Sequence, residues 1–381
     1  MTRLLIPLVP GVLVLAAMTT QTAEGRTKWT LWESYAERFI NGDGRVIDFD
    51  AKDRTTSEGQ SYAMFFALVA NDRERFDRLL GWTEHNLTTL GLNRQLPAWL
   101  WGQGSDGAWG IQDENSASDS DLWIAYTLIQ AGRLWHDSTL GNLGVTLARE
   151  MAVSEVVAPG GLGSMLLPGR LGFRPEPGLF QLNASYLPVQ LLLGISRALP
   201  GGPWQHIAET TPRVIHGSSP EGFAMDWIAY REDAGFAVQP VPQQPPAASY
   251  DGIRVYLWAG MLPAKTVGRR DILDSLHGMV EQVRRAGVPP AKVGADGTVL
   301  DPNGGPGFSA AVIPFLLALD ERKLAQKQIQ RLESYQNKAT GLYGNPPRYY
   351  DQNLALFATG WYEKLFSFDE KGDLRVPWRA V

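Results

Sequence analysis

Acidic side chains stand just before three long apolar segments of this chain. They are Glu58 in residues 54–62, Asp119 in residues 117–126 and Asp251 in residues 249–254. Two carboxyl groups that meet in a fold can act as general acid and general base, provided that their surroundings keep one of them protonated.

The same pattern is also typical of helix capping. Glu58 can complete a capping box with Thr55, and Asp251 can stand at a helix start that follows Ser249. The residues alone leave both interpretations open. For Asp121, the second acid of its segment, we predict a structural role in which it caps the helix or pairs with a neighbour.

The segments after these acids are apolar on nearly every face, whereas the segments between them are amphipathic. A helix that is apolar all round belongs in a core, and an amphipathic helix belongs outside it. The pattern predicts six inner helices alternating with six outer ones, the outer helices near residues 27–40, 71–90, 140–156, 203–215, 270–286 and 323–337.

Six helical hairpins that close on themselves form an all-α (α/α)6 barrel, a toroid with an apolar inner ring. Because the helices alternate in direction, the N-termini of all six inner helices should lie on one face. That face should collect the polar side chains Glu58, Asp119, Asn183, Asp251, Ser309 and Asp351.

Residues 1–23 differ in character from the rest of the chain. Residues 1–23 carry Arg3, an apolar run and then a polar stretch, as in a secretory signal peptide. The run is short for a membrane span, although an uncleaved anchor is the alternative. Residues 24–381 are predicted to form a single catalytic domain, in which the Pro- and Gln-rich residues 239–246 are a surface loop.

Composition excludes several kinds of chemistry. The chain has no Cys, so disulfides, thiolate metal sites and a Cys nucleophile are impossible. Its five His residues show no metal-ligand spacing, and its net charge of −5 without basic runs argues against a nucleic-acid partner. We therefore expect neither a metal nor a cofactor.

Aromatic residues are abundant, with thirteen Trp in the chain. Most should be core, as aromatics usually are. Trp99, Trp101 and Trp109 stand in a Gly-rich segment that reads as a loop, where a core role is harder to explain. Loops often carry binding residues, so ligand contact is the competing interpretation.

Carboxylates that converge beside aromatic side chains suit the hydrolysis of a glycosidic bond. Inversion needs one protonated acid near the leaving oxygen and one carboxylate that activates water on the other side of the sugar. The two groups should lie roughly 6.5–9.5 Å apart. Inner helices of different hairpins can supply that spacing.

The three acid-bearing segments resemble glycoside hydrolase family 8. Residues 117–126, with Ala131 and Trp135, are similar to the signature of that family, and residues 54–62 and 249–254 resemble its acid-bearing and base-bearing segments. The likeness extends over nearly the whole chain after residue 23, and is greatest to the branch of periplasmic endoglucanases encoded with bacterial cellulose synthase. The resemblance implies the (α/α)6 barrel, in agreement with the helix count.

The resemblance also implies roles for individual residues. Glu58 would be the general acid and Asp251 the general base, while Asp119 would hold and help to distort the sugar at the cleavage point. Tyr250 and Arg254 would position the base. The implied substrate contacts are Trp101, Tyr186, Tyr250, Arg254 and Tyr349.

The activity so implied is that of an exported, periplasmic or secreted endo-β-1,4-glucanase that works by inversion. Its partners would be a β-1,4-glucan chain and the cellulose synthase export machinery, with no membrane association once the signal peptide is removed. Two alternatives remain: a glucan-binding accessory protein that does not cut, and a related hydrolase acting on chitosan or xylan. Intact Glu58, Asp119 and Asp251 argue against the first alternative.

Overall fold

The computed structural model describes residues 28–238 and 246–379. The predicted signal peptide and most of the predicted Pro/Gln loop, residues 239–245, lie outside the described residues. Within the described part, no helix combines the length and the apolar character that a membrane span requires.

Helices dominate the described residues. In chain order they are α1 Thr30–Phe39, α2 Ser57–Val69, α3 Arg73–Leu87, α4 Ser118–Trp135, α5 Ser138–Ser154, α6 Val189–Ala198, α7 Trp204–Gly217, α8 Gly252–Met261, α9 Arg269–Ser275, α10 His277–Ala286, α11 Pro306–Ala318, α12 Arg322–Ser334 and α13 Tyr349–Tyr362. Four short 3₁₀ turns accompany them, at Phe49–Ala51, Ala184–Tyr186, Pro220–Gly222 and Pro377–Arg379.

The helices form two concentric rings, as the alternation of apolar and amphipathic segments predicts. Helices α2, α4, α6, α8, α11 and α13 form the inner ring. All ten residues of α8 are buried, and so are twelve of the thirteen of α2. In the outer ring the fifth position is shared by α9 and α10, which break at Leu276. The predicted all-α (α/α)6 barrel is confirmed.

Aromatic side chains close the inner ring around its axis. The Phe357 ring of α13 contacts Tyr62 and Phe65 of α2 and Trp123 of α4, with centroid distances of 5.0, 5.5 and 4.9 Å. It also meets Trp258 of α8 edge-on at 5.0 Å. One fully buried ring therefore packs against three other inner helices.

Short antiparallel strands lie in the segments between the helices, where the sequence pattern predicts only loops. They are β1 Thr55–Thr56, β2 Leu100–Gln103, β3 Trp109–Asp113, β4 Val156–Val157, β5 Met165–Leu166, β6 Leu179–Leu182, β7 Ile228–Arg231, β8 Gly235–Ala237, β9 Ala247–Ala248, β10 Lys292–Gly294, β11 Val299–Asp301, β12 Ser367–Phe368 and β13 Leu374–Arg375. They pair as β1-β2-β3, β4-β5, β6-β7-β8, β11-β10-β9 and β12-β13.

The Gly-rich segment that carries Trp101 and Trp109 is one of these hairpins. Strands β2 and β3 pair around a turn in which Gly107 adopts a left-handed backbone with φ of 83°. Glycine tolerates that conformation without strain, so the glycines serve the hairpin turn. Strand β1 extends the hairpin and leads directly into α2, which places the sheet beside Glu58.

We predict that Phe357→Ala lowers the free energy of unfolding by about 3–5 kcal/mol, because it opens a cavity among rings of three other helices. Urea denaturation followed by far-UV circular dichroism measures the change. Tyr362→Ala, at a 44% exposed position on the same helix, is the matched control and should cost far less. Equal losses in the two variants would contradict a central packing role for Phe357.

Candidate active site

Arg254 joins the three acids that the sequence singles out. Its Nη1 donates to Glu58 Oε2 and, at 2.9 Å, to Asp119 Oδ2. Its Nη2 donates to Asp251 Oδ1 at 2.6 Å. The guanidinium is 1% exposed, so one buried cation holds carboxylates from the first turns of α2 and α4 and from the N-cap of α8.

Two neutral groups complete the shell around this arginine. Tyr62 OH accepts from Nη1 at 3.1 Å, and Ser185 Oγ accepts from Nη2 at 3.0 Å. Arg254 follows Asp251 by three residues at the start of α8, so both side chains lie on the same face of the helix. The helical repeat thus places the arginine beside its own neighbouring acid and aims it across the barrel.

Glu58 does not cap its helix. The cap of α2 is Thr56, whose hydroxyl accepts from Gly59 N at 3.2 Å, while Thr55 Oγ1 donates to Val46 O. The carboxyl group is therefore free to face Arg254. Burial raises the pKa of Glu58 to about 7; the nearby Arg254 opposes the rise, and the charges of Asp119 and Asp251 add to it.

Asp119 is fixed through both carboxylate oxygens. Oδ2 accepts from Arg254, and Oδ1 accepts from Ser120 N at 2.7 Å and Ser120 Oγ at 3.1 Å. The side chain is only 5% exposed. Such a carboxylate is rigidly placed at the bottom of the site.

Asp251 has the most open carboxylate of the three, with 29% of its side chain exposed. Oδ2 accepts from Asn183 Nδ2 at 3.2 Å. Burial raises the pKa of Asp251 to about 6; Arg254 opposes the rise, whereas the charges of Asp226 and Asp119 support it. Burial thus raises the pKa values of both Asp251 and Glu58, and Arg254 opposes the rise in each.

The three acids line one cavity of about 380 Å³. Of the predicted substrate contacts, Tyr186, Tyr250, Arg254 and Tyr349 also line it. Arg254 Cζ lies 5.5 Å from the centre of the Tyr186 ring, and Tyr250 is 51% exposed. The hydroxyl of Tyr349 lies so close to Gly59 that any side chain at that position would clash with it.

Trp101 lies outside this cavity, on the adjoining sheet. Its ring stacks on Trp109 with centroids 5.2 Å apart and meets Trp82 edge-on at 5.3 Å. The Arg45 guanidinium lies 4.4 Å from its centre. Trp109, 45% exposed, presents the more open ring of this stack.

The inner helix starts do not all reach the site. Asn183 does, through Asp251. Ser309 instead turns outward to Gln328 and Arg331 of α12, and Asp351 accepts from Gly307 N at the start of α11. Ser309 is the fourth residue of α11. Successive residues of a helix differ in direction by about 100°, and at this position the side chain points away from the barrel axis.

Tyr350, in the cavity, and Asp226, beside it, have no role in the sequence-based prediction. Tyr350 lines the cavity, and its hydroxyl donates to Tyr250 O. It follows Tyr349 at the start of α13, so the logic that singles out the helix starts also covers it. Asp226 contacts the segment before α8 from a loop that has no apolar periodicity, and no pattern marks it.

Asp121 has the structural role predicted for it. It is fully buried beside Glu155, the C-cap residue of α5, which accepts from Ser116 Oγ at 2.6 Å. Burial raises the pKa of Glu155 to about 8, and it raises the pKa of Asp121 well above its usual range. Burial therefore favours the protonated form of both carboxyl groups.

An (α/α)6 barrel with carboxyl groups converging in an aromatic-lined cavity has the features of a glycoside hydrolase. Comparison with known proteins identifies the family. Residues 7–364 match the family model of the glycosyl hydrolases family 8. The chain belongs to this family.

Similar proteins cover nearly the whole chain. An endoglucanase of Escherichia coli O157:H7 is 40% identical over 96% of this chain and 95% of its own length. An endoglucanase of Xanthomonas axonopodis pv. citri is 42% identical over 92% of this chain and 90% of its own. The crystal structure of an endo-1,4-D-glucanase from Vibrio fischeri superposes with a TM-score of 0.86 at 38% identity, covering 93% of this chain and all of that one.

We predict that Glu155→Gln makes stability less dependent on pH. The pKa of Glu155 is raised from 4.5 to about 8 by folding, so the stabilisation is full below about pH 4.5 and is lost as the pH rises towards 8. The wild-type unfolding temperature should thus fall more steeply between pH 5 and 8 than that of the variant. Thermal denaturation at stepped pH measures it.

Glu150→Gln is the matched control, because Glu150 is exposed on the same helix. It should follow the wild-type pH dependence. Parallel curves for wild type and Glu155→Gln would show that Glu155 is ionised throughout this range and would contradict its raised pKa.

Proposed function

We propose that this family 8 glycoside hydrolase is an endo-β-1,4-glucanase that cleaves its substrate with inversion. Glu58 protonates the leaving oxygen, Asp251 deprotonates the attacking water, and Asp119 holds the sugar at the cleavage point. The single observation that carries the proposal is the buried Arg254 that gathers these three carboxyl groups from three helices into one cavity.

The protonation states suit these roles. A general acid must hold its proton at the working pH, and a general base must have lost it. The pKa of Glu58 is raised to about 7 and that of Asp251 to about 6. Burial moves both pKa values towards neutral pH, where carboxyl groups can act as the acid and the base that inversion requires.

The accessibility of the three groups supports the same assignment. Asp251 has the most exposed carboxylate, as a group that must meet water should. Asp119 is the least exposed and is held through both oxygens, which suits a fixed contact to the sugar better than a nucleophile. Glu58 lies between them in exposure.

The substrate proposal draws on the relatives and on the lining of the cavity. Relatives at 40% and 42% identity are endoglucanases. Tyr186, Tyr250, Tyr349 and Tyr350 give the cavity an aromatic wall, and binding sites commonly combine such walls with a few fixed polar groups. A β-1,4-glucan chain is the ligand that we propose.

The cellular setting is a further part of the proposal. The predicted signal peptide supports export to the periplasm or the medium. The resemblance of residues 54–62, 117–126 and 249–254 to the branch encoded with bacterial cellulose synthase supports a role beside the cellulose export machinery.

We predict that Glu58→Gln abolishes the release of reducing ends from carboxymethylcellulose while glucan binding persists. Glutamine keeps the shape of the side chain but has no acidic proton to transfer to the leaving oxygen. The loss should be about 10²-fold or more, the usual contribution of a general acid. Glu37→Gln, at an exposed position on α1, is the control and should keep wild-type activity.

The anomeric form of the first product tests the stereochemistry. Water that attacks opposite a β-linkage leaves an α-hemiacetal, which proton NMR detects before mutarotation; an initial β-product would contradict inversion. Binding without cleavage by the wild type would instead support a glucan-binding accessory. Cleavage of xylan or chitosan in preference to the glucan would identify another substrate.

We also predict a bell-shaped dependence of kcat/KM on pH. Activity should fall below about pH 6 as Asp251 takes up a proton, given its raised pKa. It should fall above about pH 7 as Glu58 loses its proton, given the raised pKa of that group. Initial rates from pH 4 to 9 measure both limbs, and activity that still rises beyond pH 8 would contradict Glu58 as the acid.

A further inference from the structure

The carboxylate of Asp226 accepts hydrogen bonds from the segment that carries Asp251, the proposed base. Its Oδ1 accepts from Ser249 N and Gly252 N, both at 2.7 Å, and from Asp251 N at 3.2 Å. Its Oδ2 accepts from Ser249 Oγ. One carboxylate thus accepts from three backbone N–H groups, those of residues 249, 251 and 252, at the start of α8.

The main chain of Asp226 holds the same segment at its other end. Asp226 N donates to Ala247 O at 2.8 Å, so main chain and side chain of one residue hold both ends of residues 247–252. A side chain at Gly252 would clash with Ala224 O, just before Asp226. Glycine at the first position of α8 therefore permits the close approach of this loop.

Asp251 occupies the N-cap position of α8 but makes no side-chain capping hydrogen bond. The first backbone N–H groups of a helix need acceptors, and an Asp at the N-cap usually supplies one itself. Here the carboxylate of Asp251 is turned to Arg254 and Asn183 instead. Asp226 accepts from the backbone N–H groups of Asp251 and Gly252, while those of Ile253 and Arg254 donate to the backbone O atoms of Ser249 and Asp251.

We propose that Asp226 is a positioning residue for the general base: it caps the first backbone N–H groups at the start of α8 and so fixes the backbone from which the carboxylate of Asp251 faces the substrate water. This inference depends on the proposed function, because it assumes that Asp251 is the base. Asp226 itself makes no contact with the reacting atoms; it acts through the backbone of residues 249–252.

The charge of Asp226 has a second effect, on the pKa of Asp251. Asp251 is surrounded by Arg254 on its own helix, Asp119 on α4, Glu58 on α2, Tyr350 on α13, and Asn183 and Tyr186 before α6. Arg254 and Asn183 lower the pKa of Asp251, whereas burial, Asp226 and Asp119 raise it. A neutral residue at 226 would therefore lower the pKa of the base.

Two substitutions separate the geometric from the electrostatic effect. Asp226→Asn keeps an oxygen for the backbone donors but removes the charge, and its amide can donate to Ser249 Oγ. Asp226→Ala removes the cap altogether. Both are compared with wild type on carboxymethylcellulose, with kcat and KM determined from pH 4 to 9.

We expect Asp226→Asn to keep kcat near the optimum and to move the acid limb of kcat/KM to lower pH, because the pKa of Asp251 falls. We expect Asp226→Ala to lower kcat by about 10²-fold with little change in KM, as misplacement of a reacting group does. Asp296 is the matched control: it likewise accepts from a backbone N–H and a hydroxyl, both of Thr298, in an exposed hairpin turn. Its Asn and Ala variants should follow wild type.

A wild-type acid limb in Asp226→Asn together with a wild-type kcat in Asp226→Ala would overturn the proposal. So would a rise in KM with kcat unchanged, since that indicates a role in binding. If Asp226→Ala fails to fold, the acid limb of Asp226→Asn alone decides. Failure of the proposed function is distinct, because the wild type itself would then release no reducing ends.

Discussion

The site depends on the burial of one positive charge. A guanidinium taken out of water is costly unless ionised partners surround it, and Arg254 is 1% exposed with three carboxyl groups on its two terminal nitrogens. Three negative charges would outweigh the single positive one, so the cluster favours holding a proton. Burial raises the pKa of Glu58 to about 7 against the opposing charge of Arg254, and the charges of Asp119 and Asp251 add to the rise. A raised pKa suits the proposed role of Glu58 as the general acid.

The barrel below the cluster explains how it stays in place. Tyr62 accepts a hydrogen bond from Arg254, and its ring packs edge-on against Trp123 and Phe357. Trp258 packs on the same Phe357 ring and donates through Nε1 to Ser185 O at 3.0 Å, which fixes the turn that carries another acceptor of Arg254. The apolar core and the polar site therefore share side chains, and a change in the packing is transmitted to the carboxylates.

Short-range patterns predict much of this arrangement, and long-range contacts escape them. Helix periodicity is local, so the two rings and the acids at the starts of α2, α4 and α8 follow from the residues themselves. Asp226 meets Ser249 across 23 positions of chain, from a loop without periodicity, and nothing local marks that contact. The hairpin of β2 and β3 was equally hidden, because its glycines fit a loop as well as a turn. Ser309 shows the remaining gap: its place near a helix start is predictable, but its rotation towards α12 depends on the register of α11.

Asp119 and Asp121 show how far helix rotation alone can divide the roles of two similar side chains. Side chains two positions apart on an α-helix differ in direction by about 200°, so the two acids point to opposite sides of α4. Asp119 therefore faces the axis and Arg254, whereas Asp121 faces outward to Glu155 at the end of α5. Both are buried, but the inner acid meets a cation and the outer one meets another acid. Burial and the charges of Glu155 and Asp119 raise the pKa of Asp121, and Arg170 opposes that rise only in part. The same two-residue spacing thus gives α4 one acid for the cavity and one for its contact with the outer ring.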